Sequence, residues 1–197
     1  MLSTTQLFEK VKNVSGWLHE AEADALMSAT LKACIELPSP NVIVEVGSYQ
    51  GKSTVLFGSL LKTYFPDARV YAIDPHEGVV SNNDTELGGL PPTLDAFKRN
   101  INAAGLDEQV ELINDYSFNV IWDKPISLLF IDGLHDYLNV SRDFKHFAQW
   151  ISPGGYVAFH DYANYFPGVM QFVDETLATQ SYTESGRAGS IIVLQKR

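Results

Sequence analysis

Residues 41–54, which read Asn-Val-Ile-Val-Glu-Val-Gly-Ser-Tyr-Gln-Gly-Lys-Ser-Thr, decide the fold class of this chain. The β-branched run that leads to Gly47 predicts a short buried strand, and the residues from Ser53 onward favour a helix. Gly47 permits a tight turn between the two, and Gly51 lets a ligand approach the backbone at the helix N-terminus, where free N–H groups point outward. A strand that turns directly into a helix is the first unit of an α/β sheet.

The same stretch contains Gly-Lys-Ser, but its spacing argues against two nucleotide-binding motifs. Gly47 and Gly51 enclose three residues, which is one fewer than the phosphate-cradling loop of nucleoside-triphosphate enzymes requires. Ser48 and Tyr49 follow Gly47 where the dinucleotide-binding pattern needs a second glycine. We therefore expect neither a P-loop kinase nor an NAD enzyme.

Strand and helix alternate along the rest of the chain. Predicted strands lie at 69–74, 110–114, 126–132, 156–160 and 189–195, and predicted helices lie at 53–64, 93–104, 137–151 and 168–178. Pro153, Gly154 and Gly155 predict a turn ahead of the strand at 156–160. The strands are nearly continuous apolar runs, as expected when helices cover both faces of a sheet. The sequence thus predicts an α/β fold with a doubly wound, mostly parallel sheet. Two further helices, separated at Gly16, predict a helical extension over residues 1–40 ahead of the main unit at 41–197, in a single-domain protein.

Acidic residues stand at the carboxyl ends of the predicted strands, outside which ligands bind in such sheets. These candidate functional residues are Glu45 with Gly47, Asp74, Asp115, Asp132, and His160 with Asp161. Glu45 needs an explanation because burying a carboxylate without a partner is unfavourable. An acidic residue at the end of the second strand, where Asp74 stands, commonly accepts hydrogen bonds from ribose hydroxyls.

Composition narrows the range of partners and compartments. The 197 residues include 14 Lys and Arg against 24 Asp and Glu, a net charge of −10. A field of that sign repels phosphate, and no basic run offsets it, so we expect no nucleic-acid partner and no membrane docking. Cys34 is the only cysteine, which excludes an internal disulfide, and its apolar surroundings predict a core residue. The sequence has no apolar stretch typical of a signal peptide or a membrane span, so we expect a cytoplasmic protein.

The order of the motifs resembles that of class I S-adenosylmethionine-dependent methyltransferases. The pattern is E-x-G-x-x-x-G-x-S from Glu45, a strand that ends in Asp74, D-G-x-H-x-Y from Asp132, and P-G-G-x-x-x-x-H-D-Y from Pro153. More narrowly, roughly residues 16–180 are similar to the small bacterial O-methyltransferase-like group called methyltransferase family 24. The resemblance implies a Rossmann-like fold and methyl transfer to a hydroxyl of a small-molecule acceptor, such as a sugar, a glycosylated metabolite or a phenol.

The resemblance also assigns residues to the cofactor S-adenosylmethionine. They are Glu45, Gly47, Ser48, Tyr49, Gly51 and Ser53 for the methionine moiety, Asp74 for the ribose, Asp115, Tyr116 and Ser117 for the adenine, and Asp132 for the sulfonium and the acceptor. The cofactor carries a cationic sulfur, an ammonium and a diol, which a rim of carboxylates matches. It carries no phosphate, so the loop between strand and helix need not be a phosphate-binding loop.

His135 is the leading candidate for the general base of the predicted catalytic set, which also contains Asp132 and Asp161. Imidazole titrates near pH 6.5 and can accept a hydroxyl proton at neutral pH. Asp136 or Asp161 would orient the ring. The alternative is that His135 caps the following helix or contacts the cofactor.

Asp132 and Asp161 are also candidate ligands for Mg²⁺, because adjacent strand ends bring two carboxylates together. Catechol-type relatives add an Asn after the second Asp, whereas this chain has Tyr162 there. His160 is an alternative ligand, although imidazole suits zinc or iron better than magnesium. The sequence leaves both a magnesium-dependent and a metal-free enzyme open.

The acceptor site is expected to involve a loop at 76–92, in which His76 and Glu77 directly follow Asp74, and the aromatic residues Tyr162, Tyr165 and Phe166. The N-terminal helices would either cover the core or form a homodimer face. The alternative function is a non-catalytic protein on the same fold that binds S-adenosylmethionine or a nucleoside, or that serves in assembly.

Overall fold

The computed structural model describes residues 4–78 and 91–197. The strands are β1 (Val42–Val46), β2 (Arg69–Ile73), β3 (Val110–Ile113), β4 (Ile126–Ile131), β5 (Ile151–Phe159), β6 (Tyr182–Ala188) and β7 (Ile191–Lys196). The α-helices are α1 (Thr4–Val11), α2 (Glu20–Glu36), α3 (Lys52–Tyr64), α4 (Leu94–Ala103), α5 (Tyr137–Phe147) and α6 (Pro167–Ala178). Short 3₁₀ turns lie at Ser117–Asn119 and Ala148–Trp150.

The strands of the described residues form one seven-stranded sheet in the order β3-β2-β1-β4-β5-β7-β6. The first five strands along the chain pair in parallel, and β7 joins β5 and β6 in antiparallel fashion. The predicted mostly parallel α/β sheet is therefore confirmed. The strand order reverses beside β1, so the carboxyl ends of β1 and β4 form the crevice where such sheets bind ligands.

Helices cover both faces of the sheet, which explains the apolar strands. Ile43 packs into a core shared with α1, α2, α3 and α4, whereas its neighbour Val44 packs into a core shared with α5 and α6. Successive side chains of a strand point to opposite faces, so a strand covered on both sides must be apolar at nearly every position. Cys34 is buried in α2, as predicted.

Two predictions for the C-terminal part are wrong. The helix predicted to reach Ile151 ends at Phe147, and β5 begins at Ile151 instead of residue 156. Pro153, Gly154 and Gly155 lie within β5, where the pairing with β4 changes register between Ile126 and Leu128, so they form an irregularity in the strand and not a turn before it. The edge strand β6 was not predicted, because its sequence Tyr-Thr-Glu-Ser-Gly-Arg-Ala is mostly polar and half exposed.

In the part of the chain that the structure describes, no helix combines the length and the apolar character needed to cross a membrane.

Candidate functional site

A cavity of about 430 Å³ lies at the carboxyl ends of the central strands. Gly47 after β1, Asp74 after β2, Asp132 after β4 and Asp161 after β5 all line it. Residues Gly16 to His19, together with Glu22 of α2, form another part of the wall. The cavity is therefore bounded both by the sheet and by the predicted N-terminal extension.

The turn from β1 into α3 packs against the end of β4. Gly47 has a φ of +89°, and a Cβ there would lie 2.2 Å from the carbonyl oxygen of Asp132. Only glycine fits this conformation and this space. Gly51 also has a positive φ of +87°, and a Cβ there would lie 3.1 Å from the ring of Phe97. The described lining of the cavity does not include Gly51. The absence of a side chain at Gly51 instead lets Phe97 of α4 pack closely against the start of α3.

Glu45 lies beneath this turn, also outside the described lining. It is fully buried, and its carboxyl group accepts hydrogen bonds from Ser53 Oγ and from Thr54 Oγ1, the latter at 2.5 Å. Burial raises the pKa of Glu45 to about 8. The side chain thus ties β1 to the first turn of α3, and its position next to the methionine moiety stays a prediction.

Asp74 is held in place by backbone donors. Tyr49 N–H donates to its Oδ2 at 2.8 Å, and His76 N–H donates to its Oδ1 at 2.6 Å. Tyr49 adopts a left-handed φ of 47°, which brings its N–H to the carboxylate. His76 is buried and hydrogen-bonded through Nδ1 to Thr93 Oγ1 at 2.8 Å. Each carboxylate oxygen keeps a further lone pair that can accept a ligand hydroxyl.

The residues after β3 divide between the cavity and the surface. Tyr116 and Ser117 line the cavity, and Ser117 Oγ donates to Asp143 of α5 at 2.5 Å. Asp115, predicted to border the adenine, lies outside the described lining and accepts a hydrogen bond from Asn119 Nδ2 at 2.8 Å. Asp143 was not singled out by sequence reasoning, although it lines the cavity and burial raises its pKa.

The predicted catalytic residues form one cluster. His135 Nε2 lies 3.1 Å from Asp161 Oδ2 and 4.0 Å from Asp132 Oδ1. Asp161 is therefore the carboxylate that orients His135, while Asp136 accepts from Asn139 N–H at 3.0 Å and caps α5. One ligand atom each of Asp132, His135 and Asp161 lies within 4.8 Å of the others. Oxygen and nitrogen donors that close together can act on a proton or hold a cation.

A second histidine, His160, lies inside the cluster and joins it to α2. Its Nδ1 is 2.8 Å from Asp132 Oδ1 and 3.2 Å from Asp161 Oδ2, and its Nε2 is 3.6 Å from Glu22 Oε2. Burial alone would lower the pKa of His160, but Asp132, followed by Asp161 and Glu22, outweighs burial and raises it. Burial likewise opposes ionisation of Glu22, but the nearby imidazole of His160 and hydrogen bonds from His19 and Ser190 lower its pKa to about 2.

Sequence reasoning missed Glu22, but a signal for it exists. Glu22 falls at helical spacing with Leu26, Ala29 and Ala33 on the buried stripe of α2. A carboxylate on such a stripe is unfavourable unless it has partners. The helical spacing of Glu22 with apolar residues therefore predicts that its carboxylate is buried and pairs with polar groups from another element of the fold.

Aromatic residues complete the wall near His135. The ring of Phe166 lies 4.5 Å from that of His135, and Tyr165 lines the same cavity. Tyr162 turns away, because its hydroxyl donates to Asp174 Oδ1 at 2.7 Å. Trp17 and Tyr49 also line the cavity, and their rings pack together with 5.3 Å between centroids. Most of the predicted loop at 76–92 lies outside the described residues.

Comparisons with known proteins agree with this architecture. A family model described as a methyltransferase domain matches residues 44–162, which is more than half of the chain. An uncharacterized protein of Acanthamoeba polyphaga mimivirus is 29% identical over 140 residues, which cover 68% of this chain and 58% of that protein. The chain thus spans less than two thirds of that relative's length.

Solved structures share the fold at low identity. The O-methyltransferase NovP is 19% identical, with a TM-score of 0.76 over 90% of this chain and 80% of that one. An O-methyltransferase from Bacillus cereus in complex with S-adenosylhomocysteine is 16% identical, with a TM-score of 0.67 over 97% of this chain and 90% of that one. These likenesses confirm the predicted Rossmann-like fold.

Proposed function

The chain belongs to the family described as a methyltransferase domain, and we propose that it transfers a methyl group from S-adenosylmethionine to a hydroxyl of a small molecule. One observation carries the proposal: a single cavity is lined both by Asp74, held by backbone donors, and by the pair of His135 and Asp161. The first matches a ribose diol, and the second matches proton removal from an acceptor.

The residues at the first turn fit the cofactor. Ser48 Oγ is buried beside the cavity and has no hydrogen-bond partner among residues 4–78 and 91–197. A carboxylate or ammonium of the methionine moiety would supply one. Lys52 Nζ donates to the carbonyl oxygen of Gly16 at 3.0 Å, so the lysine of the Gly-Lys-Ser sequence is already used within the protein. When bound, S-adenosylmethionine supplies an electrophilic methyl group on a cationic sulfur.

The chain's own residues would align the acceptor and take its proton. Because His135 Nε2 faces the Asp161 carboxylate and donates to it, Nδ1 is the accepting atom we assign, and Asp161 stabilises the positive charge that develops on the ring. Phe166 fixes the plane of the imidazole from one side. Alignment of the acceptor oxygen with the methyl group then accounts for most of the remaining rate enhancement.

Charge favours a neutral or cationic acceptor. Among the residues that the structure describes, six carboxylates line the cavity, and the side-chain cations there are Lys52, Arg142 and the histidines. The carboxylates are those of Glu22, Asp74, Glu77, Asp132, Asp143 and Asp161. This excess of negative charge, added to the net charge of −10, opposes a nucleic-acid or polyphosphate substrate. A small hydroxylated molecule is compatible with it.

Magnesium fits the cluster poorly. Mg²⁺ prefers an octahedron of oxygen ligands, whereas the facing oxygens of Asp132 and Asp161 already lie against imidazole nitrogens. Tyr162, which stands where catechol-type relatives have Asn, uses its hydroxyl to bind Asp174. Of the two alternatives that the sequence leaves open, this donor geometry favours the metal-free one.

Calorimetric titration tests the proposal. S-adenosylmethionine and S-adenosylhomocysteine should bind with micromolar affinity, and ATP and NAD should not bind. Asp74→Asn should weaken cofactor binding about 10- to 100-fold, because it weakens charge-assisted hydrogen bonds. The matched control is Asp123→Asn on the surface, whose side chain is 81% exposed. Failure of both sulfur compounds to bind would refute the assignment of the cofactor, and equal affinities of the two variants would refute the role of Asp74.

A further inference from the structure

His160 lies between the two carboxylates of the candidate catalytic cluster. Because β4 and β5 are adjacent and parallel, their ends bring Asp132 and Asp161 to the same place. The Nδ1 atom of His160 is 2.8 Å from Asp132 Oδ1 and 3.2 Å from Asp161 Oδ2. One ring nitrogen thus contacts both carboxylates at the point where they face each other.

The far edge of the same ring is supported by a carboxylate on another element. Glu22 Oε2 lies 3.6 Å from His160 Nε2 and accepts from His19 N–H at 2.9 Å. Glu22 Oε1 accepts from Ser190 N–H at 2.9 Å and from Ser190 Oγ at 2.8 Å. Glu22 is only 3% exposed.

The hairpin between β6 and β7 is shaped around this carboxylate. Gly189 has a φ of +56°, and a Cβ there would lie 2.5 Å from Glu22 Oε1. The backbone and hydroxyl of Ser190 next to it bind the same oxygen. Four elements therefore fix the His160 ring: α2, the ends of β4 and β5, and the hairpin.

We propose that His160, supported by Glu22, occupies the position between Asp132 and Asp161 that a divalent cation would otherwise take, so that methyl transfer needs no divalent metal. This inference rests on the proposed function. His160 and Glu22 act as positioning residues, because they hold the two carboxylates and thereby the contact between Asp161 and His135.

Metal binding without catalysis provides the first test. Free Mn²⁺ is followed by electron paramagnetic resonance during titration of the full chain, of His160→Ala and of His160→Asn, with Mg²⁺ and Zn²⁺ as competitors. In the wild type the cation must displace a charge-assisted hydrogen bond, so binding should be about 10- to 100-fold weaker than in the variants. His160→Ala combined with Asp161→Asn is the matched control, and it should lose the gain because one carboxylate is gone.

Glu22→Gln provides an independent variant, because it retains the side-chain volume while it weakens the support of His160. It should show a smaller gain in Mn²⁺ affinity than His160→Ala. Cofactor calorimetry and thermal unfolding establish that each variant is folded. If His160→Ala does not fold, His160→Asn and Glu22→Gln decide the outcome.

The results that overturn the inference differ from those that overturn the proposed function. Tight binding of Mn²⁺, Mg²⁺ or Zn²⁺ by the wild type, no gain in any folded variant, or loss of methyl transfer after chelation with EDTA would each refute it. If the wild type does not bind S-adenosylmethionine, the proposed function is refuted, whatever the metal titration shows. Methyl transfer that is unchanged by EDTA, together with the gain in the variants, supports both.

Discussion

Gly47→Ala should damage both stability and the site, and the structure allows the size of the effect to be worked out. A Cβ at Gly47 would lie 2.2 Å from the carbonyl oxygen and 2.5 Å from the carbonyl carbon of Asp132, which are both backbone atoms and cannot rotate away. The φ of +89° adds backbone strain for any residue with a side chain. Together, the left-handed backbone and the overpacking should lower the free energy of unfolding by about 2 to 5 kcal/mol.

Urea unfolding of the wild type, Gly47→Ala and a matched glycine variant measures this effect. Gly186→Ala is the control, because a Cβ there meets nothing within 4 Å; it should change the free energy of unfolding by less than about 0.5 kcal/mol. Gly47→Ala should also weaken cofactor binding, since relief of the clash must move the end of β4 and with it Asp132. If the two variants are equally stable and bind the cofactor equally well, the argument from the close approach of β1 and β4 is refuted.

The remaining predictions concern pH and catalysis. Burial raises the pKa of Glu45 to about 8 from its ordinary 4.5, so between these pH values the folded protein keeps a proton that the unfolded chain releases. The free energy of unfolding should therefore fall as pH rises from 4.5 to about 8. Urea unfolding at several pH values should show a smaller fall for Glu45→Gln than for the wild type. The pKa of Glu22 is lowered from 4.5 to about 2, so the contribution of its carboxylate to the free energy of unfolding should be lost as pH falls from about 4.5 towards 2. In Glu22→Gln, the free energy of unfolding should no longer show this loss at acid pH. His135→Gln should lower turnover about 100- to 10,000-fold with cofactor affinity unchanged in calorimetry; normal turnover would exclude His135 as the base.

Regular patterns made the parallel part of the fold predictable. The mainly apolar run from Val42 to Val46 predicts a strand covered on both faces, and the structure has helices on both. The polar edge strand β6 escaped prediction, because its pairing with β7 and not its own apolar content holds it in place. Pro153 and the glycines after it signalled a turn, but pairing of Ile151 with Ile126 extends the strand on their N-terminal side.

Within the site, the sequence indicated which strand ends carry chemistry but not where each side chain points. Asp132, His135 and Asp161 meet because parallel strand ends share one edge of the sheet. Glu45 instead contacts Ser53 and Thr54 beneath the first turn of α3, since strand residues alternate between faces.

By itself, the sequence determined the alternation of strands and helices from β1 to α6, the glycine turn and the carboxylates at the strand ends, because these follow from short-range spacing along the chain. Only the tertiary structure decided that Glu22 of the N-terminal extension supports His160 and that His160 contacts both Asp132 and Asp161. Glu22, Asp132 and His160 lie far apart in the chain, and their contacts depend on how α2, the ends of β4 and β5, and the β6–β7 hairpin pack. No local pattern specifies that packing, because it is set by the sum of many burial contacts across the two cores.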